Sequence, residues 1–157
     1  GGDPNLACAK GSPAGSAFRH APESGIGRSP HVSNNMWQVG LIFARMLIGY
    51  CPTDVQSEKW IHPAKSARMN GKKKGRETIR EMIRERFSIT EDEMFRSLPP
   101  MYDDVKELLA VMLEVDPEKR VSATQALEMA GRAARKRDLV VLSPRAPATL
   151  PSNYYEE

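Results

Sequence analysis

Residues 35–48, which read NMWQVGLIFARMLI, decide the fold of this chain. Apolar side chains occupy nearly every position, and Arg45 is the one charged residue in the stretch. A helix that is apolar on every side is buried inside a domain. We therefore predict a central buried helix over these residues, which Ser33 or Asn34 caps at its start and Gly49 ends.

Further helices are predicted on the C-terminal side of this one. Residues 76–87 and 103–115 both carry apolar side chains at helical spacing, so each range predicts an amphipathic helix. Two capping boxes predict the starts of two more helices. These boxes are Thr90 with Glu93 and Ser122 with Gln125. Residues 50–75 predict a polar connection, and only residues 139–142 resemble a strand.

The composition fits a single domain of the mainly α class. The 157 residues carry 23 Lys and Arg against 20 Asp and Glu, and 40% are hydrophobic, as in ordinary soluble globular proteins. Two cysteines are too few for a disulfide scaffold or a zinc cage. No apolar stretch approaches the roughly 20 residues of a membrane span, and the balance of charge argues against a nucleic-acid partner. We expect an intracellular protein, either cytoplasmic or nuclear.

The most basic part of the chain is residues 72–86. This stretch holds seven positive and three negative side chains. One interpretation is a solvated helix face with pairing between residues three and four apart. The other is a docking surface for acidic partners or phosphates.

Three separated segments of the chain resemble parts of one protein family. Residues 15–23, GSAFRHAPE, resemble the G-T-P-x-Y-x-A-P-E end of a protein kinase activation segment. Residues 35–40, NMWQVG, resemble the D-x-W-S-x-G that opens the long buried helix of the kinase C-lobe. Residues 112–123, MLEVDPEKRVSA, are similar to the later L-x-x-D-P-x-x-R-x-[ST]-A motif. Because the order is also that of the family, the chain resembles a serine/threonine protein kinase C-lobe over residues 2–130.

The resemblance implies a domain organisation. Residues 1–138 would form a partial kinase C-lobe that lacks the β-rich N-lobe, with an activation-segment-like loop at 1–32 and a helical core at 33–130. Residues 139–157 are rich in proline and are expected to form a disordered tail.

The resemblance also implies a structural ion pair. In the family, the Glu of A-P-E pairs with the Arg of the D-P-x-x-R loop, which corresponds to Glu23 and Arg120 here. A bidentate Arg–carboxylate pair can tie a loop with few apolar anchors to a helical core. Trp37 is expected to lie in the core beneath this region.

Three more residues receive roles by the same resemblance. Asp3 lies in GDPNLA, residues 2–7, which resembles the metal-binding G-D-F-G-L-A element with Phe and Gly replaced. Ser16 corresponds to the substrate-facing Ser or Thr of the activation segment. Asn35 stands where kinases have an Asp that accepts hydrogen bonds from the catalytic loop, although it also suits simple helix capping.

Other kinase parts are not found in this sequence. It has no Gly-rich phosphate loop, strand Lys or H-R-D-x-x-x-x-N loop. ATP and Mg²⁺ are therefore implied only for a full-length parent, and this chain alone is expected to need no cofactor and to be inactive. A protein substrate or partner is expected, together with a missing N-lobe.

Three hypotheses follow from this pattern. The chain is part of an active kinase, or a degenerate pseudokinase-like binding module, or a small helical scaffold whose resemblance is fortuitous. A contact between Glu23 and Arg120 above a buried Trp37 would contradict the scaffold. Both kinase-related hypotheses predict exposed apolar surface along residues 35–48, because the N-lobe and the catalytic loop cover this side of the C-lobe in a complete kinase.

Overall fold

The fold was analysed in a computed structural model, which describes residues 16–24 and 32–141. Helices make up most of this part of the chain, and it contains no strand. The α-helices are α1 (Ser16–Arg19), α2 (Val32–Ile48), α3 (Pro52–Ser57), α4 (Pro63–Asn70), α5 (Lys73–Arg86), α6 (Glu93–Ser97), α7 (Asp103–Met112) and α8 (Ala123–Val141). Two 3-10 turns, Ile89–Glu91 and Pro100–Tyr102, precede α6 and α7. The mainly α class predicted from the sequence is confirmed.

The helix α2 runs through the middle of the fold and buries one face. Trp37, Leu41, Ala44 and Ile48 fall on that face at helical spacing and are buried. The opposite face is not covered, since the exposed fractions of its apolar side chains reach 43% for Val39, 61% for Ile42 and 80% for Met46. The prediction of an all-round buried helix is therefore wrong, while the exposed apolar surface expected along it is present.

The start of α2 differs from the prediction and its end agrees. The helix begins at Val32, so Ser33 and Asn34 lie in its first turn and do not precede it. At the other end, Gly49 has φ +90° and its N–H donates to Arg45 O at 2.9 Å. This left-handed conformation suits glycine and terminates the helix as predicted.

The hydrophobic core joins α2 to α5, α7 and the turn before α6. Ile79 and Ile83 of α5 and Leu109 of α7 are fully buried in it. Trp37 meets Phe87 edge to face, with ring centroids 5.5 Å apart. A second apolar cluster lies between α7 and α8. The amphipathic helix predicted at 76–87 is confirmed as α5, and the one predicted at 103–115 is α7, which ends at Met112.

The predicted polar connection at 50–75 contains two helices, α3 and α4. Both begin with proline, Pro52 and Pro63, at the first helical position. Proline is favoured there because its missing N–H would have no partner inside the helix. This signal was present in the sequence and would have located both helix starts.

One of the two predicted capping boxes is wrong. Asp92, and not Thr90, caps α6, because its carboxylate accepts from the Phe95 N–H at 2.9 Å. At α8, the box is confirmed: Ser122 N–H donates to Gln125 Oε1 at 3.0 Å, and Gln125 N–H donates to Ser122 Oγ at 3.2 Å. The two contacts at α8 are both local, so this box forms without a tertiary partner.

The last helix passes the domain boundary predicted at residue 138. Because α8 continues to Val141, the predicted strand at 139–142 is wrong for residues 139–141. The rest of the predicted tail, 142–157, lies outside the described residues. Among the described helices, none combines the length and the apolar character that crossing a membrane requires.

Candidate functional site

The predicted ion pair between Glu23 and Arg120 is present. Arg120 Nη1 lies 2.5 Å from Glu23 Oε1, and Nη2 lies 3.0 Å from Oε2, across 97 positions of sequence. The Arg120 side chain is 0% exposed and that of Glu23 is 16% exposed. Two parallel charge-assisted hydrogen bonds fix both the distance and the orientation of the two groups.

Arg120 also binds three backbone carbonyls. Its Nε donates to Glu114 O at 2.9 Å, Nη1 to Ser33 O at 2.9 Å, and Nη2 to Val115 O at 3.5 Å. With the two bonds to Glu23, every N–H of the guanidinium group has an acceptor. One side chain thus connects the segment after α1, the first turn of α2 and the loop before α8.

Trp37 lies against the same guanidinium group. The Arg120 Cζ is 5.3 Å from the centroid of the Trp37 ring, which is fully buried. A cation over an indole face is attracted by the ring quadrupole, most strongly when both are desolvated. Trp37 is therefore in the core, as expected, and contacts the ion pair as well as Phe87.

A tight turn in the loop between α7 and α8 orients Arg120. Asp116 O accepts from Lys119 N–H at 3.1 Å and from Arg120 N–H at 3.0 Å, and Asp116 Oδ1 accepts from Glu118 N–H at 3.0 Å. Val121 N–H then donates to Val111 O at 3.2 Å. α7 has already ended at Met112, and these bonds turn Arg120 back towards the core.

The segment of residues 16–24 is held by more than the ion pair. Ala17, Phe18 and Ala21 are buried in the core. Thr53 Oγ1 donates to Phe18 O at 2.8 Å, and Arg84 Nη1 donates to Pro22 O at 2.9 Å. Sequence reasoning missed both donors, because a backbone acceptor leaves no signature in a motif.

The other candidate residues are not brought into this contact set. Asp3 lies outside the described residues. Ser16 is the first residue of α1, and Asn35 is exposed in the first turn of α2. Among residues 16–24 and 32–141, no group of three or more His, Cys, Asp or Glu side chains is arranged to hold a metal ion.

Comparison with protein-family models, with curated proteins and with solved structures finds no match to this chain.

Proposed function

We propose that this chain is the C-terminal part of a serine/threonine protein kinase domain and comprises a portion of its C-lobe. The observation that carries the proposal is the bidentate pair between Glu23 and Arg120 above the buried ring of Trp37. Each of these residues comes from a different one of the three segments that resemble the family. A fortuitous resemblance, such as the helical scaffold hypothesis requires, gives no reason for the three to meet in space.

In this proposal, the ion pair fixes the end of the activation segment on the helical core. The segment would then present a rigid surface to a protein substrate, with Ser16 beside it. The phosphate-binding loop, the strand Lys and the catalytic Asp would belong to a longer parent, which would also supply the site for ATP and Mg²⁺. This chain alone would transfer no phosphoryl group.

The alternative function is a non-catalytic binding module with a kinase-like fold. Asn35 favours it, since an amide accepts a weaker hydrogen bond than the carboxylate that kinases have at this position. The replacements at Pro4 and Asn5 in the element that resembles G-D-F-G favour it as well. Under this alternative, the exposed apolar face of α2 would bind a partner and would not support catalysis.

The mass and activity of the natural protein distinguish the two functions. An antibody against residues 143–157 would isolate the protein from cell extract for intact-mass measurement and an assay of phosphoryl transfer from ATP to serine or threonine. The kinase proposal predicts a species well above the 17.5 kDa of these 157 residues, with transfer activity. Isolation with the antibody blocked by its own peptide is the control.

Two outcomes contradict the kinase proposal. A species of 17.5 kDa without transfer activity would favour the binding module. A larger species that transfers no phosphoryl group would favour a pseudokinase.

A further inference from the structure

The helix α5 turns its arginines towards the protein and its glutamates towards solvent. Three arginines at four-residue spacing are half-buried on the side of α5 that packs against α1 and the residues after it. Three glutamates, each one position further along the helix, are exposed. The arginines are Arg76, Arg80 and Arg84, and the glutamates are Glu77, Glu81 and Glu85. Glu77 and Glu81 lie three residues before Arg80 and Arg84, within reach along the helix, but neither forms an ion pair with them in the described part of the chain.

The outer two arginines of this row contact uncharged acceptors. Arg84 Nη1 donates to Pro22 O at 2.9 Å, and Arg76 Nη1 donates to Asn70 O at 3.2 Å. No ion pair joins any of the three arginines to a carboxylate in the described part of the chain. Like charges four residues apart on a helix repel one another. The row therefore concentrates positive charge at a packed interface without neutralising it.

The central arginine has an unpaired buried donor. Arg80 Nε is inaccessible to solvent and has no hydrogen-bond partner among the described residues. Burial, together with Arg76 and Arg84, lowers the pKa of Arg80, against the opposing effect of Glu77. An unpaired buried donor in a native fold needs an explanation, such as local strain or a bound water or ion. In this cationic environment, a bound anion would accept a hydrogen bond from the donor and would also reduce the repulsion among the three arginines.

A fourth group capable of positive charge lies on the opposing segment. His20 is half-buried, and its pKa is lowered by burial first and then by Arg80 and Arg76. It follows α1, which packs against α5, the helix that carries these two arginines. Its neighbour Arg19 is directed elsewhere, since it pairs with Asp54 of α3 at 3.7 Å.

We propose that Arg76, Arg80 and Arg84, together with His20, bind a phosphate group. A phosphate monoester carries a charge of about −1.5 to −2 at neutral pH and has three acceptor oxygens. It can therefore pair with several guanidinium groups at once, which a single carboxylate does less well. The group arrives either on a phosphorylated protein segment or as free phosphate. None of its residues belongs to the Glu23–Arg120 pair, although His20 lies in the segment that this pair holds and Arg84 contacts that segment at Pro22 O.

Titration calorimetry on the 157-residue chain tests the site. The probes are inorganic phosphate and a short peptide with one phosphoserine, and the same peptide with serine gives the baseline. We expect saturable binding that Arg80→Gln weakens about tenfold or more, because a hydrogen bond to a charged group contributes that much. The matched control is Arg86→Gln, which removes the same charge from an exposed position of α5; it should change the affinity less than twofold.

The probes also identify the source of the phosphate. Tighter binding of the phosphopeptide assigns the site to a protein segment, and equal binding of inorganic phosphate assigns it to the free ion. Circular dichroism checks the fold of each variant. If Arg80→Gln loses helix content, Arg80→Lys replaces it, since lysine keeps the charge without the planar fork and should still weaken binding several-fold. Absence of saturable binding, or equal losses in the Arg80 and Arg86 variants, overturns the proposal.

Discussion

At the scale of single residues, one guanidinium group connects three parts of the fold. Arg120 has a bonded partner for each donor and an aromatic ring at its face, and its side chain is inaccessible to solvent. A buried charge of this kind is tolerated only because its partner and its hydrogen bonds are all present. Among the groups bonded to Arg120, only the Glu23 carboxylate carries a negative charge.

Removing the charge of Glu23 should destabilise the chain strongly. Glu23→Gln leaves Arg120 buried without a counter-charge, and we expect the free energy of unfolding to fall by about 3 kcal/mol. Urea unfolding followed by circular dichroism measures the change. Glu118→Gln, at an exposed position of the same loop as Arg120, is the control and should change stability by less than about 0.5 kcal/mol. Equal effects of the two variants would show that the pair contributes no more than a surface contact.

His20 should make stability depend on pH in the mildly acidic range. Its pKa is lowered in the folded chain by burial and by Arg80 and Arg76, so the unfolded chain binds the proton more readily. Stability from this group is therefore fully present above its unfolded pKa, about 6.5, and is lost as pH falls through that value towards the lower folded pKa. Thermal unfolding between pH 8 and pH 5 should show a smaller decline for His20→Gln than for the parent chain. Parallel declines would contradict this effect.

At the scale of helices, a glycine sets how closely α2 approaches α7. A Cβ built at Gly40 would lie 2.9 Å from Leu113 Cδ2 and 3.2 Å from Met112 Cβ. Both neighbours are buried, so neither can move freely. The glycine of the segment NMWQVG is thus required by helix packing.

Replacing Gly40 by alanine should destabilise the chain despite the better helix propensity of alanine. The steric cost of overpacking is about 1–3 kcal/mol, against a propensity gain of about 1 kcal/mol. Gly131→Ala in α8 is the matched control, because its Cβ would lie 3.5 Å from the flexible end of Arg135, an ordinary contact. Thermal unfolding should show a lower Tm for Gly40→Ala and an unchanged or higher Tm for Gly131→Ala. A higher Tm for both would mean that α2 and α7 separate easily.

The helices also show which features a sequence can predict. The Ser122–Gln125 box was predictable because all its contacts are local. The cap of α6 was not, since Asp92 is also fixed by Tyr50, whose hydroxyl donates to it at 2.8 Å from 42 positions away. Likewise, α3 is anchored by tertiary bonds such as Gln56 Nε2 to Ser88 O at 2.7 Å. The proline at its first position marks where α3 begins, but a helix this short has little intrinsic stability and depends on packing that no local pattern records.

The candidate site divides in the same way. The contact between Glu23 and Arg120 was predictable because two charged residues stood in recognisable motifs. The anchors at Thr53 and Arg84 were not, because their acceptors are the carbonyls of Phe18 and Pro22. The burial of the arginines on α5 could not be predicted either. It depends on which elements pack against that helix, and the regular alternation of charge in its sequence does not specify them.

At the scale of the whole molecule, the core is covered on one side of α2 and open on the other. Ile42 and Met46 lie one turn apart on the open side, and Val39 extends the same stripe. Apolar side chains in a contiguous stripe promote association, whereas single exposed ones are normal on a protein surface. Leu127 of α8, with 73% of its surface exposed, is an apolar residue outside this stripe.

The open face should make the isolated chain self-associate. We expect the mass measured by light scattering to rise with concentration above that of one chain, because association removes the stripe from water. The double variant Ile42→Lys, Met46→Glu should shift the distribution towards the monomer, since charged groups on this face resist burial. Leu127→Lys, which removes an equally exposed apolar side chain elsewhere, should leave association unchanged. A parent chain that stays monomeric at every concentration would contradict the prediction. Equal loss of association in Leu127→Lys would contradict the assignment to α2, because the driving surface would then not be local to that helix.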